Sequence, residues 1–370
     1  MLTSTRPAQD RCPGVLRPYV SGDGALVRLR SPGGRVPAET LRALTGYAAA
    51  NGAPVLQLTS RGNLQLRGLP DPLPADLEPL VVELGLLPTP SHEVMRNIIA
   101  APFDAASAEM ATAFDAGLRA DEELARLPGR LLVAFDDGTG VMLGEPWDLA
   151  HVAETPDSGL LLAAGCPRVR RVARGEAVAA MLELARAFVA DREHPHPDPV
   201  WNVRDLPAEA SVFALLTDAV DELPAATTPP EPGIHGDDLL VGVPLGMLEP
   251  AQADLIAELC SGVVVVTPWR SILLPGRGDA EVAGRLAETG LIINAGDAST
   301  RVSACVGAPH CVRTSSPTLQ IARDLARDGD LGHVHVSGCD RRCGHSARAV
   351  DVIAPTDTEH ARHLLREATR

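Results

Sequence analysis

Seven cysteines occur in this sequence, and four of them crowd into one stretch near the C-terminus. Cys305 and Cys311 stand as C-x5-C, and Cys339 and Cys343 as C-x3-C. Thiolates carried on two short loops can converge on one soft-metal centre. Zinc knuckles mostly use spacings of about two to four residues, so x5 suits a zinc ion poorly. A [4Fe–4S] cube is wider than a single ion and accommodates the longer spacing. Small neighbours (Ala304, Gly307, Ala308, Gly338, Gly344 and Ser346) let the backbone approach and point N–H groups at sulfur. Structural zinc and unligated thiols remain the alternatives. Cys12, Cys166 and Cys260 have no partner in sequence and read as buried apolar thiols.

The elements that must carry these loops form a repeat. A strand-like run at Ala25–Leu29 is followed by a helical pattern over Ala38–Asn51 and the apolar strand 55–58. The turn Thr59-Ser60-Arg61-Gly62 then leads into Asn63-Leu64-Gln65-Leu66. The order recurs with a strand at Leu239–Val243, a helix at Pro250–Cys260 and a strand at Gly262–Val266. There the turn Thr267-Pro268-Trp269-Arg270 leads into Ser271–Leu274, so both turns follow a Thr-x-(x)-Arg pattern and Arg61 and Arg270 sit at matching turns.

A looser duplication continues beyond each unit. Arg96-Asn97-Ile98-Ile99 parallels Arg301-Val302-Ser303-Ala304, and each is succeeded by a helix and then a strand ending in a tight turn. Further helical patterns cover Gly175–Arg192, Ser316–Asp328 and Thr356–Thr369, and the proline-rich 224–232 marks a boundary. The expected fold class is α+β, with a pseudo-twofold repeat. Its parts are a half-domain over 10–75, a larger α/β domain over 85–223, a linker at 224–235, a second half-domain over 236–290 and a cysteine-bearing domain over 291–370. A chain of 370 residues is long enough for several such cores.

Composition removes whole classes of function. With 48 acidic against 33 basic residues the net charge is −15, which argues against a general nucleic-acid or anionic-membrane binder. Every basic residue is Arg, so a P-loop lysine, a Schiff base and a lysine general base are excluded. No apolar run approaches the roughly 18 to 20 residues that span a bilayer. The first residues, MLTSTRPAQDRCPG, lack the apolar core of a secretion signal, so a cytoplasmic location is expected. No G-x-G-x-x-G follows a strand, so a nicotinamide cofactor is expected to bind elsewhere.

These motifs resemble the sulfite/nitrite reductase superfamily over about residues 10–360. The resemblance rests on C-x5-C followed by C-x3-C, on Thr59-Ser60-Arg61-Gly62-Asn63-Leu64-Gln65, and on Arg96-Asn97 after Glu93-Val94. It implies duplicated ferredoxin-like half-domains plus two larger α/β domains, with a [4Fe–4S] cluster on Cys305, Cys311, Cys339 and Cys343. Within the superfamily, three runs are similar to the cobalamin-biosynthesis branch: Cys12-Pro13-Gly14-Val15-Leu16, Thr267-Pro268-Trp269-Arg270 and Val334-His335-Val336-Ser337-Gly338-Cys339.

That branch implies an oxidoreductase of the monooxygenase type. Precorrin-3A would be hydroxylated at C20 with O2, forming a γ-lactone, with electrons from a separate ferredoxin or NADH-linked reductase. A polycarboxylate macrocycle calls for bidentate guanidiniums. The implied tetrapyrrole contacts are Arg61, Asn63, Gln65, Arg96, Asn97, Arg130 and Arg270, with Arg67 and Arg301 nearby in sequence. The densest basic run, Cys166–Arg174, is read as a docking site for an acidic electron donor, a propionate clamp or a solvated face.

A mononuclear non-haem iron is compatible with the branch. His310, His333, His335 and His345 show no facial-triad context, however, and none is assigned as a ligand. The alternative is a sirohaem-dependent sulfite or nitrite reductase, in which Cys343 would bridge cluster and sirohaem. Those reductases carry K-x-K where this chain has Arg130 and Leu132, and leucine cannot replace a cation.

Overall fold

The computed structural model describes residues 10–368 apart from Pro54, Asp330 and residues 346–348, so Ser346, Thr369 and the first nine residues lie outside the described set. The chain divides into two units. One comprises Arg17–Leu29, Val36–Leu80 and Pro230–Arg370; the other comprises Met1–Leu16, Arg30–Arg35 and Val81–Pro229.

The first unit holds both repeats. Helix Ala38–Ala50 buries Leu41, Leu44, Thr45 and Ala48, the spacing of one helical face. Helix Pro250–Leu259 starts at a reciprocal cap, in which Glu249 and Gln252 each bond the other's backbone N–H, with proline at the first helical position. The two helices pack on each other. One sheet runs Tyr19–Ser21, Gly24–Leu29, Leu64–Leu69, Leu56–Leu58 and Met247–Leu248. The other runs Gly233–His235, Asp238–Gly242, Ser271–Leu274, Val263–Val266 and Arg35–Pro37. Each sheet therefore takes its last strand from the opposite repeat.

The same unit ends in a parallel sheet of Val302–Ala304, Val334–Ser337 and Val350–Ile353. Helices Thr318–Ala326 and Thr358–Ala368 cover it, closing a core of Val302, Ile321, Leu325, Val334, Val336, Val352 and Leu365. Cys305 follows the first strand directly and Cys339 follows the second by one residue. Both cysteine loops thus leave the carboxyl ends of parallel strands, where open α/β sheets form their binding crevices.

The second unit opens with the same parallel pattern, Ile98–Ala100, Val133–Asp136 and Leu149–Thr155. Three antiparallel strands extend it: Ser158–Ala163, Arg168–Ala173 and Asp218–Ala219. Helices Ala105–Arg119 and Arg174–Glu193 close its core around Phe114, Phe135 and Phe188. The α+β class and the duplicated architecture are borne out. The antiparallel extension goes beyond the sequence expectation, because the strand Arg168–Ala173 hides inside a basic run. Its Val169 and Val172 are buried, while Arg170 and Arg171 lie between them.

Candidate functional site

The two repeat turns superimpose in their hydrogen bonds. Thr59 N–H donates to the Asn63 carbonyl and Thr267 N–H to the Ser271 carbonyl, both at 2.9 Å. Thr59 Oγ1 accepts from the N–H groups of Arg61 and Asn63, and Thr267 Oγ1 from those of Trp269 and Ser271. This alignment sets the two arginines one residue apart, as the Thr-x-(x)-Arg spacing allows. Arg61 corresponds to Trp269, and Arg270 corresponds to Gly62. Gly62 has φ 64° and Arg270 φ 58°, so an arginine holds the left-handed position that glycine fills in the first repeat. Side-chain type pairs the two arginines, whereas the backbone pairs residues of the same handedness.

The strands beyond the turns differ in one register. In the first repeat Arg28 lies opposite Gln65, and Gln57 lies on its other side. Arg28 donates to Gln65 Oε1 from Nη2 at 2.9 Å and from Nε at 3.3 Å, and Gln65 Nε2 donates to Gln57 Oε1 at 2.7 Å. At the matching register of the second repeat stand Leu240, Leu273 and Val265, buried together as an apolar cluster. Arg67 shares a face with Gln65, two residues on, and bonds Asp23 Oδ2 at 2.6 Å and Ser21 Oγ at 2.8 Å. Leu64 and Leu66 face the other way and are buried. The first repeat thus presents an amide-rich face with two guanidiniums, that of Arg67 ion-paired to Asp23, where the second is apolar. Arg61 is half-buried beside it, and Asn63 is buried. Arg28 and Gln57 were missed from sequence; the signal was the alternation of Leu56-Gln57-Leu58 with Leu64-Gln65-Leu66-Arg67.

The cysteine loops meet the adjoining hairpin of Tyr19–Ser21 and Gly24–Leu29, whose second strand carries Arg28. A side chain on Gly22 would run into Val312, the neighbour of Cys311, and Tyr19 bonds Arg341, two residues before Cys343. Cys305 Sγ accepts the Gly338 N–H at 3.2 Å, and the Cys305 carbonyl accepts from Thr318 Oγ1 at 2.6 Å. Although Cys343 is exposed as a residue, enclosure of its thiol pushes its pKa up, as do the neighbouring Cys305 and Cys339; Arg341 and Arg67 draw it back. Cys311 is half-buried on the same loop as Cys305. Among the described residues, no three His, Cys, Asp or Glu side chains close around a single ion.

The donor set is soft. A backbone N–H is aimed at sulfur, and a Cβ on Gly307 or Gly338 would strike Ser316, Thr318 or Thr314. These residues fit an iron–sulfur cluster.

The turn after Cys343 is pinned from several sides. Arg270 Nη2 donates to the Gly344 carbonyl at 2.9 Å. His345 Nδ1 and Arg342 Nη1 both contact Asp351, at 2.8 and 3.1 Å. His335 is fully buried with Nδ1 at 2.9 Å from Ser303 Oγ, and its ring edges against that of His345 at 6.1 Å. Burial, then Arg270, pushes the His335 pKa down to about 4.

Other expected contacts fall in the second unit. Arg96 is 4% exposed and bonds Asp115 at 2.6 and 3.1 Å and the Leu86 carbonyl at 3.3 Å. Asn97 Nδ2 donates to the Gly129 carbonyl at 2.8 Å. Arg130 lies over the Trp201 ring at 5.5 Å, and Leu132 is buried. The basic run is neutralised within its own unit. Arg170 pairs with Glu183, Arg171 with Glu154 and Arg174 with Glu109, while Arg168 bonds the Phe213 carbonyl. It therefore forms a surface of ion pairs rather than a free positive patch. Arg301, in the cysteine-bearing unit, bonds the Gly296 and Gly329 carbonyls.

Comparison with known proteins agrees with this geometry. Residues 18–85 match the family of the nitrite/sulfite reductase ferredoxin-like half domain. The chain superimposes on the Mycobacterium tuberculosis NirA protein with a TM-score of 0.64 at 17% identity, covering 87% of this chain and 69% of that one. The fold is thus like that of the NirA protein, and residues 18–85 form the ferredoxin-like half domain that the motifs implied. Among curated proteins the chain is similar to a precorrin-3B synthase from Sinorhizobium sp, with 26% identity over 367 residues covering 90% of this chain and 77% of the relative. Among the described residues, no helix is long and apolar enough to cross a membrane.

Proposed function

We propose that this chain is an oxidoreductase acting as a precorrin-3B synthase, hydroxylating precorrin-3A at C20 with O2 and closing a γ-lactone. The observation that carries the reading is the asymmetry of the duplication. A face of Arg28, Gln65, Gln57 and Arg67 occurs in one repeat only, and the hairpin that supplies Arg28 meets both cysteine loops through Gly22 and Tyr19. A macrocycle bearing many carboxylates needs such guanidinium and amide donors, and Arg61 stands at the edge of the same strand pair. Similarity to a named precorrin-3B synthase over most of both chains supports the same substrate.

Cys305, Cys311, Cys339 and Cys343 would hold a [4Fe–4S] cluster, which when bound supplies single electrons to the reaction. The protein's own contribution is to orient the macrocycle. Gln65 is fixed by Gln57 and in turn fixes the Arg28 guanidinium, and Asp23 and Ser21 fix that of Arg67. Held in advance, these donors lose little freedom when a carboxylate arrives. Electrons would come from a separate ferredoxin or NADH-linked reductase. Sirohaem enters only under the rival reductase reading, against which stands the buried Leu132 at the second cation position. No mononuclear-iron ligands are assigned.

The test is anaerobic purification with iron, sulfide and absorption measurements, then addition of precorrin-3A, O2 and a reductant. Equal iron and sulfide without a Soret band, and a product carrying one O2-derived oxygen, are expected. A Soret band with sulfite or nitrite turnover would transfer the chain to the sirohaem reductases. Zinc without sulfide would end the redox reading altogether.

A further inference from the structure

The Thr267–Ser271 turn contains an anomaly. Left-handed backbone disfavours a residue with a Cβ, and the first repeat uses Gly62 at the same place. Arg270 persists there, and its side chain has a path built for it. Gly246, itself left-handed at φ 71°, has no side chain where a Cβ would stand 2.7 Å from Arg270 Cδ. The guanidinium ends on the Gly344 carbonyl, one residue beyond Cys343. Gly344 is left-handed as well, at φ 83°, and a Cβ there would lie 3.6 Å from Arg270 Nη2 and 3.8 Å from His335 Cε1. The buried His335, fixed by Ser303, lies beside the Cys343 backbone carbonyl. The turn after Cys343 thus carries a strained arginine on its Gly344 carbonyl and a buried imidazole beside it. The opposite flank of the turn is tied through Arg342 and His345 to Asp351.

We infer that Arg270 is a positioning residue for the Cys339–Cys343 loop, an arm from the second repeat that sets where the Cys343 thiol stands, and not a contact to substrate carboxylates. This rests on the proposed cluster at these thiols. The contrast between the repeats supports it. In the first repeat the turn folds around glycine and the neighbouring sheet face is polar. In the second the sheet face is apolar, and the turn has an arginine reaching for the loop.

Arg270→Gly is the informative variant, because Gly62 shows that such a turn folds with glycine and relief of left-handed strain favours the fold. In the metal-free chain, amide exchange over residues 339–345 should rise about tenfold, as expected when one charge-assisted hydrogen bond is lost. In the loaded chain, a chelator should strip the cluster about tenfold faster, and the electron paramagnetic resonance spectrum of the reduced cluster should change. Gly246→Ala, which displaces the arginine stem and keeps the charge, should move both readouts the same way.

Unchanged exchange and stripping, with only the KM for precorrin-3A raised, would overturn the inference and make Arg270 a substrate contact. If the unaltered protein assembles no cluster, the functional reading fails by itself. Exchange in the metal-free chain then decides the loop contact alone.

Discussion

Removing the Asp115 carboxylate should be among the most destabilising single changes in the second unit. Asp115 accepts from Arg96 Nε at 2.6 Å and Nη2 at 3.1 Å, and from Arg119 Nε at 2.9 Å. In Asp115→Ala the Arg96 side chain, 5% exposed, keeps only the Leu86 carbonyl at 3.3 Å. A buried charge deprived of its partner costs about 3 to 5 kcal/mol. For a cooperative unit of this size that lowers Tm by about 6 to 20 °C. The double variant Arg96→Met with Asp115→Leu removes both charges and should recover most of the loss, since apolar replacement of a buried pair is close to neutral. The assay is urea and thermal unfolding of both variants beside the parent, with precorrin-3A binding measured on whichever folds. A cost below about 1 kcal/mol for Asp115→Ala would refute the burial argument. A double variant of recovered stability but tenfold weaker binding would return Arg96 to the tetrapyrrole contacts.

Cys311→Ser should abolish the cluster's absorption and turnover together; a full complement of iron and sulfide would remove Cys311 from the ligand set. Gln65→Leu places the second repeat's Leu273 into the first and removes the Gln65 carbonyl from the Arg28 guanidinium. It should weaken precorrin-3A binding about tenfold with an unchanged cluster spectrum, as loss of one fixed charge-assisted contact predicts. Part of the acid sensitivity, shared with His335, should trace to His151, whose pKa falls from 6.5 to about 4 through burial and then Arg174. The unfolded chain binds that proton first, so its contribution is complete above about pH 6.5 and is lost as pH falls toward 4, by about 3 kcal/mol at most. Urea midpoints of His151→Phe should show a shallower decline over that window, and parallel profiles would show that another group titrates there.

The repeat and the cysteine loops were legible because both are local. Strand periods, capped helices and C-x5-C spacing each lie within a few residues. The left-handed backbone at Arg270 was not, since residue type does not record φ; only the turn's geometry, matched to that of Gly62, exposes it. Nor was the contrast between Arg28-Gln65-Gln57 and Leu240-Leu273-Val265, which appears only once three strands are in register. The run Cys166–Arg174 reads correctly as a solvated face, but its ion pairs were hidden for a related reason. The carboxylates that neutralise it, Glu109, Glu154 and Glu183, come from other elements at long sequence separation. The exchanged strands Arg35–Pro37 and Met247–Leu248 are too short to carry a period at all.

That exchange dictates an order of assembly. While the chain is being synthesised, the first repeat emerges with Leu56–Leu58 as an unpaired rim, and its missing neighbour, Met247–Leu248, lies beyond the whole of Val81–Pro229. The intervening segment can condense on the ribosome before the first repeat is closed. Until then an apolar rim stays open to any passing strand, the situation in which aggregation competes with folding. The two copies have thereby become inseparable. Alone, either half would leave its sheet one strand short and would need a second copy to supply the missing edge.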